Sequence, residues 1–73
     1  MPHVCVKMYP GRPNELKQTL ADNITKCVVD TLGCPETGVS VSIVEVPKED
    51  WKATVYEPEI MGRPDELFKK PGY

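Results

Sequence analysis

The chain has 73 residues, a net charge of −2 and a sequence pI of 5.3, and 40% of its residues are hydrophobic. This length allows one domain, residues 1–73, and the absence of a basic stripe excludes nucleic acid as the main partner. No apolar run approaches the roughly 20 residues of a bilayer span, and no secretory signal is recognised, so we expect a cytoplasmic protein that does not engage membranes.

The small size predicts self-association. A domain of this length buries only about 60% of the surface that its unfolded chain exposes. Its cysteines are three in number and lack the spacing of a metal site. We predict that Cys5 and Cys27 are buried thiols on apolar faces and that Cys34 is exposed, which suits a reducing compartment. Without disulfides, the additional buried surface has to come from oligomerisation.

Residues 2–9 alternate in the way that is typical of a strand. Met1 precedes a small residue and is normally removed in the cell, which would leave Pro2 with a free secondary amine. Burial and nearby cations lower the pKa of such an amine, so that it accepts and returns a proton near neutral pH. Alternatively, Met1 and Pro2 only begin the chain and have no catalytic role. His3, the only histidine, is interpreted as a surface or interface residue.

The next segments predict a β-α-β unit. A helix is expected over 13–32, because Pro13 suits its first turn and Gly33, followed by Pro35, ends it. Residues 39–46 alternate again and predict a second strand. A strand, a helix of about 20 residues and a strand indicate parallel pairing with a right-handed crossover. The helix stripe expected to face the sheet comprises Leu16, Leu20, Ile24, Cys27, Val28, Thr31 and Leu32.

The last third of the chain predicts two short elements. A turn over 47–50 leads to Trp51, and residues 53–57 are predicted to form a short strand that Pro58 ends. Residues 64–70 predict a short helix, which Pro71 and Gly72 end. The fold class is therefore α/β, or α+β, with a single β-α-β unit followed by a short C-terminal strand and helix.

Several of these features in register resemble the tautomerase superfamily, in its small 4-oxalocrotonate tautomerase-like branch. They are Pro2 after Met1, the first strand, Gly11-Arg12 before the helix, the β-α-β unit and Trp51. The resemblance covers nearly the whole chain. The segments 51–53 and 67–73 are similar to the dimeric enterobacterial subgroup that acts on phenylpyruvate-type enols, whereas the shorter 4-oxalocrotonate tautomerases are hexamers.

The resemblance implies the tautomerase (MIF-like) fold. It also implies a homodimer, with a homohexamer as the alternative, in which two subunits pair their sheets into one four-stranded sheet. The implied activity is a keto–enol tautomerase that needs no cofactor and acts on a small 2-oxo or 2-hydroxy-dienoic acid.

The resemblance also implies roles for four residues. Pro2 matches the proline that moves a proton between the oxygen and the carbon of an enol. Arg12 matches the arginine that binds the substrate carboxylate, and Trp51 matches an aromatic residue that keeps the site apolar. The family's second arginine, which polarises the 2-oxo group, aligns with Ser40. Serine can donate one hydrogen bond but brings no charge, which argues against 4-oxalocrotonate itself as the substrate.

The chemistry of proton transfer across an enol favours these residue types independently. It needs a base whose conjugate acid is also useful at neutral pH, a cation that holds a carboxylate, and a site that excludes water. Other interpretations stay open. Arg12 could be a solvent-exposed residue of the helix start, Trp51 could be a core or interface anchor, and Lys7 or Tyr9 could supply the missing polar function.

Two further functions compete at the level of the whole protein. One is a non-catalytic oligomeric protein that keeps the fold. The other is a dehalogenase-like hydratase, which would need a carboxylate that activates water beside Trp51. Glu49 and Asp50 precede Trp51, but Lys52 and Ala53 follow it, which disfavours the hydratase.

Overall fold

The computed structural model describes all 73 residues and contains one β-α-β unit followed by a helical C-terminal segment. Strand β1 spans His3–Met8, helix α1 spans Asn14–Leu32 and strand β2 spans Ser40–Glu45. The two strands are parallel, and His3 pairs with Ser40 at the start of the register. The predicted β-α-β unit is confirmed, with boundaries that differ by no more than one residue.

The ends of α1 follow from the local sequence. The carbonyl of Pro13 accepts the backbone N–H groups of Leu16 and Lys17 at 3.1 and 3.2 Å. Pro13 is therefore the cap before the helix rather than its first residue. At the other end Gly33 adopts a φ of 70°, and its N–H donates to the carbonyl of Val29 at 2.9 Å. This is the left-handed stop that the sequence predicted.

Helix α1 packs mainly on β2 and leaves the side next to β1 open. Lys17 of the helix pairs with Glu45 at the end of β2 at 3.2 Å. The predicted apolar stripe is consequently only partly covered, because Leu16 is 51% exposed and Leu20 is 37% exposed. No helix in the structure is both long enough and apolar enough to cross a bilayer.

The cysteines are distributed differently from the prediction. Cys5 and Cys27 are exposed, and Cys34 is half-buried. By the alternation along β1, Cys5 lies on the sheet face opposite α1. Cys27 lies on the part of the helix stripe that the sheet does not cover. The predicted burial of Cys5 and Cys27 and exposure of Cys34 are wrong, because one helix covers only part of one sheet face.

The predicted strand over 53–57 is also wrong. Residues Lys52–Met61 form a π-helix that contains Pro58, and it continues directly from a 3₁₀ turn at Lys48–Asp50. Its inward-facing residues recur every four to five positions, which fits i to i+5 hydrogen bonding and not the alternation of a strand. These buried or half-buried residues are Trp51, Val55, Tyr56, Glu59 and Ile60.

The predicted helix over 64–70 is reduced to a 3₁₀ turn at Pro64–Glu66. Phe68 beyond it is 102% exposed. Too few residues separate the turn from Pro71 for cooperative helix formation, since a proline cannot continue the hydrogen-bond ladder.

The whole chain is a thin slab with extents of 36 × 32 × 19 Å. Its radius of gyration is 13.7 Å, against about 11 Å for a compact domain of this length. Its accessible surface is 5720 Å², against about 4,500 Å² for a globular monomer of this mass. Only Val46 and Val55 are buried, at 6% and 5% exposure. A single chain therefore does not close a hydrophobic core.

Candidate active site

The four residues that the sequence nominates fall into two groups at opposite ends of β1. Pro2 and Ser40 lie where the two strands begin, whereas Arg12 and Trp51 lie near the end of β1. At a rise of about 3.3 Å per residue, Pro2 and Met8 are about 20 Å apart. One chain therefore does not bring all four residues together.

The first group surrounds the start of β1. Pro2 is half-buried, and its carbonyl accepts the backbone N–H of Ser40 at 3.1 Å. Gly38 lies against the same segment, because a Cβ at this position would be 2.8 Å from the nitrogen of Met1. Met1 itself is fully exposed. Because Met1 precedes it, the nitrogen of Pro2 is part of an amide in this structure and is not a base.

The side chain of Ser40 has a partner that the sequence did not indicate. Its hydroxyl oxygen lies 2.7 Å from Nδ1 of His3. The two residues form the first pair of the parallel register, so both side chains project from the same sheet face. Either the hydroxyl donates to Nδ1 or an Nδ1–H donates to the hydroxyl oxygen.

The second group lines a cavity of about 300 Å³ beside the end of β1. Gly11 adopts a φ of 124°, a conformation that strains other residues, and it turns the chain from β1 towards α1. Arg12, the next residue, is exposed and takes part in none of the salt bridges of the structure. Its guanidinium donors are thus free to bind a carboxylate. The cavity is lined by Lys7, Met8, Tyr9, Arg12, Trp51 and Tyr73.

An aromatic cluster holds Trp51 in place. Its ring meets Tyr9 edge to face, with the centroids 5.2 Å apart and an interplanar angle of 86°. Its Nε1 donates to the hydroxyl of Tyr73 at 3.2 Å, and the ring of Tyr73 lies 5.5 Å from that of Tyr56. Trp51 is therefore both an anchor and a wall of the cavity. The sequence patterns did not indicate Tyr56 and Tyr73, because contacts between aromatic residues that are distant along the chain leave no local signal.

The other charged side chains considered for the site are either already paired or do not line the cavity. Lys7 forms a salt bridge with Glu59 of the π-helix, and the side chains are each 30% exposed. Lys7 therefore belongs to the Arg12 group, and its charge is already paired with a carboxylate. Glu49 and Asp50 are exposed in the 3₁₀ turn and do not line the cavity. Arg12 is consequently the one unpaired charged side chain in the cavity lining.

Comparisons with known proteins match most of this chain. Residues 2–55 match the family model described as "Tautomerase enzyme". A probable tautomerase of Xylella fastidiosa (strain 9a5c) is 44% identical over 73 residues, which is all of this chain and 89% of that protein. Tautomerase PptA of Enterobacter sp. (strain 638) is 43% identical over 74 residues, covering all of this chain and 97% of that protein.

Solved structures agree with the sequence relatives. The structure of YwhB, a homologue of 4-oxalocrotonate tautomerase, superposes with a TM-score of 0.63 and 40% identity over 64% of this chain and 77% of that chain. TomN, a 4-oxalocrotonate tautomerase homologue of the tomaymycin biosynthetic pathway, has a TM-score of 0.67 and 28% identity over 89% of this chain and 97% of that chain. These neighbours confirm the predicted fold class.

Proposed function

Since the chain belongs to the tautomerase family, we propose that it catalyses keto–enol tautomerisation of a small 2-oxo or 2-hydroxy-dienoic acid without a cofactor. The observation that carries the proposal is the unpaired guanidinium of Arg12 in a cavity walled by Trp51 and Tyr9. A free cation beside apolar ring surface suits a small anion with an apolar body, because the cation binds the carboxylate and the rings exclude water.

The proton transfer is assigned to Pro2 after removal of Met1. Its amine takes the proton of the enol hydroxyl, the O–H electron pair forms the C=O bond, and the C=C electrons accept the proton from the prolinium at carbon 3. No oxidant or second reactant is needed. The family match begins at Pro2, which supports this assignment. Ser40, whose backbone N–H donates to the carbonyl of Pro2, offers its hydroxyl as a donor for the 2-oxo oxygen.

The two groups of site residues come together when two copies pair along β1. Antiparallel pairing of His3–Met8 with its own copy in full overlap places Pro2 opposite Tyr9 of the partner subunit. Pro2 and Ser40 of one copy then face Arg12 of the partner subunit. The open side of α1 supports this homodimer, since the helix of the second copy would cover the exposed apolar stripe. A homohexamer is the alternative assembly.

No specific observation favours the hydratase. No aspartate or glutamate lines the cavity, and Glu59, which pairs with the cavity residue Lys7, is already engaged. Glu49 and Asp50 do not line the cavity. We therefore propose no second function, and the non-catalytic alternative becomes an outcome of the test.

The test combines intact mass with an assay on the same purified sample. We expect a chain without Met1 that accelerates ketonisation of phenylenolpyruvate, and we expect this activity to collapse in Pro2→Ala. If Met1 is retained, treatment with methionine aminopeptidase precedes the assay. A free Pro2 amine that fails to turn over phenylenolpyruvate and other 2-hydroxy-dienoic acids would overturn the proposal in favour of a non-catalytic protein.

A further inference from the structure

We infer that His3 is a positioning residue that aims the hydroxyl of Ser40 at the 2-oxo oxygen of the substrate. The inference rests on the proposed function, because it assigns a task within the same site. It also addresses the departure of this sequence from its family pattern, in which an arginine stands at the position of Ser40.

Ser40 contacts both His3 and Pro2, the proposed base. Its backbone N–H donates to the carbonyl of Pro2 at 3.1 Å, and its side-chain oxygen lies 2.7 Å from Nδ1 of His3. The first contact fixes where Ser40 stands relative to Pro2. The second contact restricts the rotation of the hydroxyl, which is otherwise free to turn towards solvent. Both side chains are exposed, so a bound substrate can reach the hydroxyl.

The direction of this hydrogen bond determines what Ser40 can do. If the hydroxyl donates to Nδ1, its proton is engaged and it can only accept from a ligand. If Nδ1–H donates to the hydroxyl oxygen, the hydroxyl proton is available for an oxygen of the substrate. A 2-oxo or enolate oxygen is an acceptor, so binding of the substrate selects the second arrangement. In this arrangement His3 acts on the substrate only through Ser40.

The neighbouring pair on the same sheet face provides a matched control. Ser42 stands two residues further along β2 and is paired in the register with Cys5. Ser42 forms no side-chain hydrogen bond in the structure. A hydroxyl on this face therefore has a fixed direction only where His3 accompanies it.

The kinetic test compares His3→Phe, Ser40→Ala and the double variant with phenylenolpyruvate as substrate. We expect each single change to lower kcat about 10- to 100-fold, the effect of losing a hydrogen bond to a charged group, with little change in KM. The double variant should be no slower than either single variant, since both changes remove one interaction. His3→Asn should recover most of the loss because its amide N–H can stand near the position of Nδ1, and Ser42→Ala should behave as wild type.

Two kinetic results would overturn the inference while Pro2→Ala still shows that the proposed function is right. One is a His3→Phe variant with wild-type kcat. The other is a pair of single losses that multiply in the double variant. A Pro2→Ala variant that keeps full activity would instead refute the proposed function.

A spectroscopic test does not depend on turnover. His3 is the only histidine, so its two ring ¹⁵N signals need no assignment by mutagenesis. On saturation with phenylpyruvate we expect Nδ1 to carry a proton, and we expect its shift to move in Ser40→Ala but not in Ser42→Ala. An Nδ1 that stays unprotonated in the complex, or a shift that ignores Ser40, would refute the positioning role even in an active enzyme.

Discussion

Two tripeptides with the same sequence place their arginines differently. Gly11 adopts a φ of 124° and sets Arg12 at the cavity, ahead of the long helix α1. Gly62 has a φ of −78° and sits where a Cβ would be 2.6 Å from the carbonyl oxygen of Pro58. Arg63 therefore follows the π-helix and lies outside the cavity lining. The chain thus contains its own control for the role of Arg12.

Replacement of Arg12 tests the carboxylate site. We expect Arg12→Gln to raise KM for phenylenolpyruvate about 10- to 100-fold, because charge-assisted bidentate bonds to the carboxylate are lost. Arg63→Gln, at the matching position of the second tripeptide, should leave the kinetics unchanged. Steady-state rates of both variants decide the point, and an unchanged KM in Arg12→Gln would remove this residue from the site.

Gly38 tests the space around the proposed base. A Cβ at Gly38 would lie 2.8 Å from the nitrogen of Met1, and in the processed chain it would project into the space beside the Pro2 amine. We expect Gly38→Ala to lower kcat/KM about 10- to 100-fold through misplacement of the substrate. Gly72→Ala meets no atom within 4 Å and serves as the control. Equal kcat/KM in the two variants would contradict the prediction.

At the scale of elements, the sequence predicted those helices and strands that depend on short-range patterns. The β-α-β unit follows from alternation, helical periodicity and the stops at Gly33 and Pro35, all of which are local. The π-helix does not follow from local patterns, because Thr54, Val55 and Tyr56 favour a strand on side-chain preference alone. Its conformation depends on distant contacts, with Val55 buried in the slab and Glu59 bound to Lys7 of β1.

In the site, too, local sequence patterns predicted some features, whereas contacts between distant residues determined others. Motif position nominated Pro2, Arg12, Ser40 and Trp51, but no pattern indicated that they form two groups. Their separation is set by which end of β1 each one adjoins. The partner of Ser40 was missed for a related reason, since His3 is 37 residues away in sequence and only the strand register brings them together.

The aromatic cluster makes a prediction about the C-terminal segment. Tyr73→Phe removes the acceptor of the Trp51 indole N–H, and we expect a loss of about 0.5–1.5 kcal/mol in the free energy of unfolding. Tyr56→Phe is the matched control because its hydroxyl makes no hydrogen bond in the structure. Denaturant unfolding followed by fluorescence of the single tryptophan measures both. Equal stability of the two variants would show that the indole bond contributes nothing.

At the scale of the whole molecule, the slab exposes more surface than a globular monomer would. The excess is roughly 1,200 Å², which exceeds the ~800 Å² that each partner buries in a typical stable interface. The open edge of β1 and the exposed Leu16 and Leu20 of α1 lie on the same side of the slab. Self-association through this side would complete the core and join the two groups of site residues.

Mixing of two impaired variants tests the shared site. A dimer of one Pro2→Ala chain and one Arg12→Gln chain holds one site with both changes and one site with neither. After unfolding and joint refolding of equal amounts, we expect about one quarter of wild-type activity at substrate concentrations well below the wild-type KM, where both parents are impaired, since half of the dimers are mixed and each has one intact site. Pro2→Ala mixed with Ser40→Ala, which lie in the same group, should show no gain over its parents. The absence of recovery in the first mixture would mean that each chain builds its own site.

The bond between Ser40 and the carbonyl of Pro2 also sets an order of events during synthesis. His3 pairs with Ser40, which lies 37 residues further along the chain, so β1 cannot pair until Ser40 has left the ribosome. Until then nothing pins the start of β1, and an aminopeptidase meets an unstructured terminus. Strand pairing then ends this interval and draws Gly38 against the first residue. Overexpression that is faster than removal of Met1 would therefore yield a mixture of chains with and without Met1. The specific activity of a preparation would then depend on how fast the protein was made.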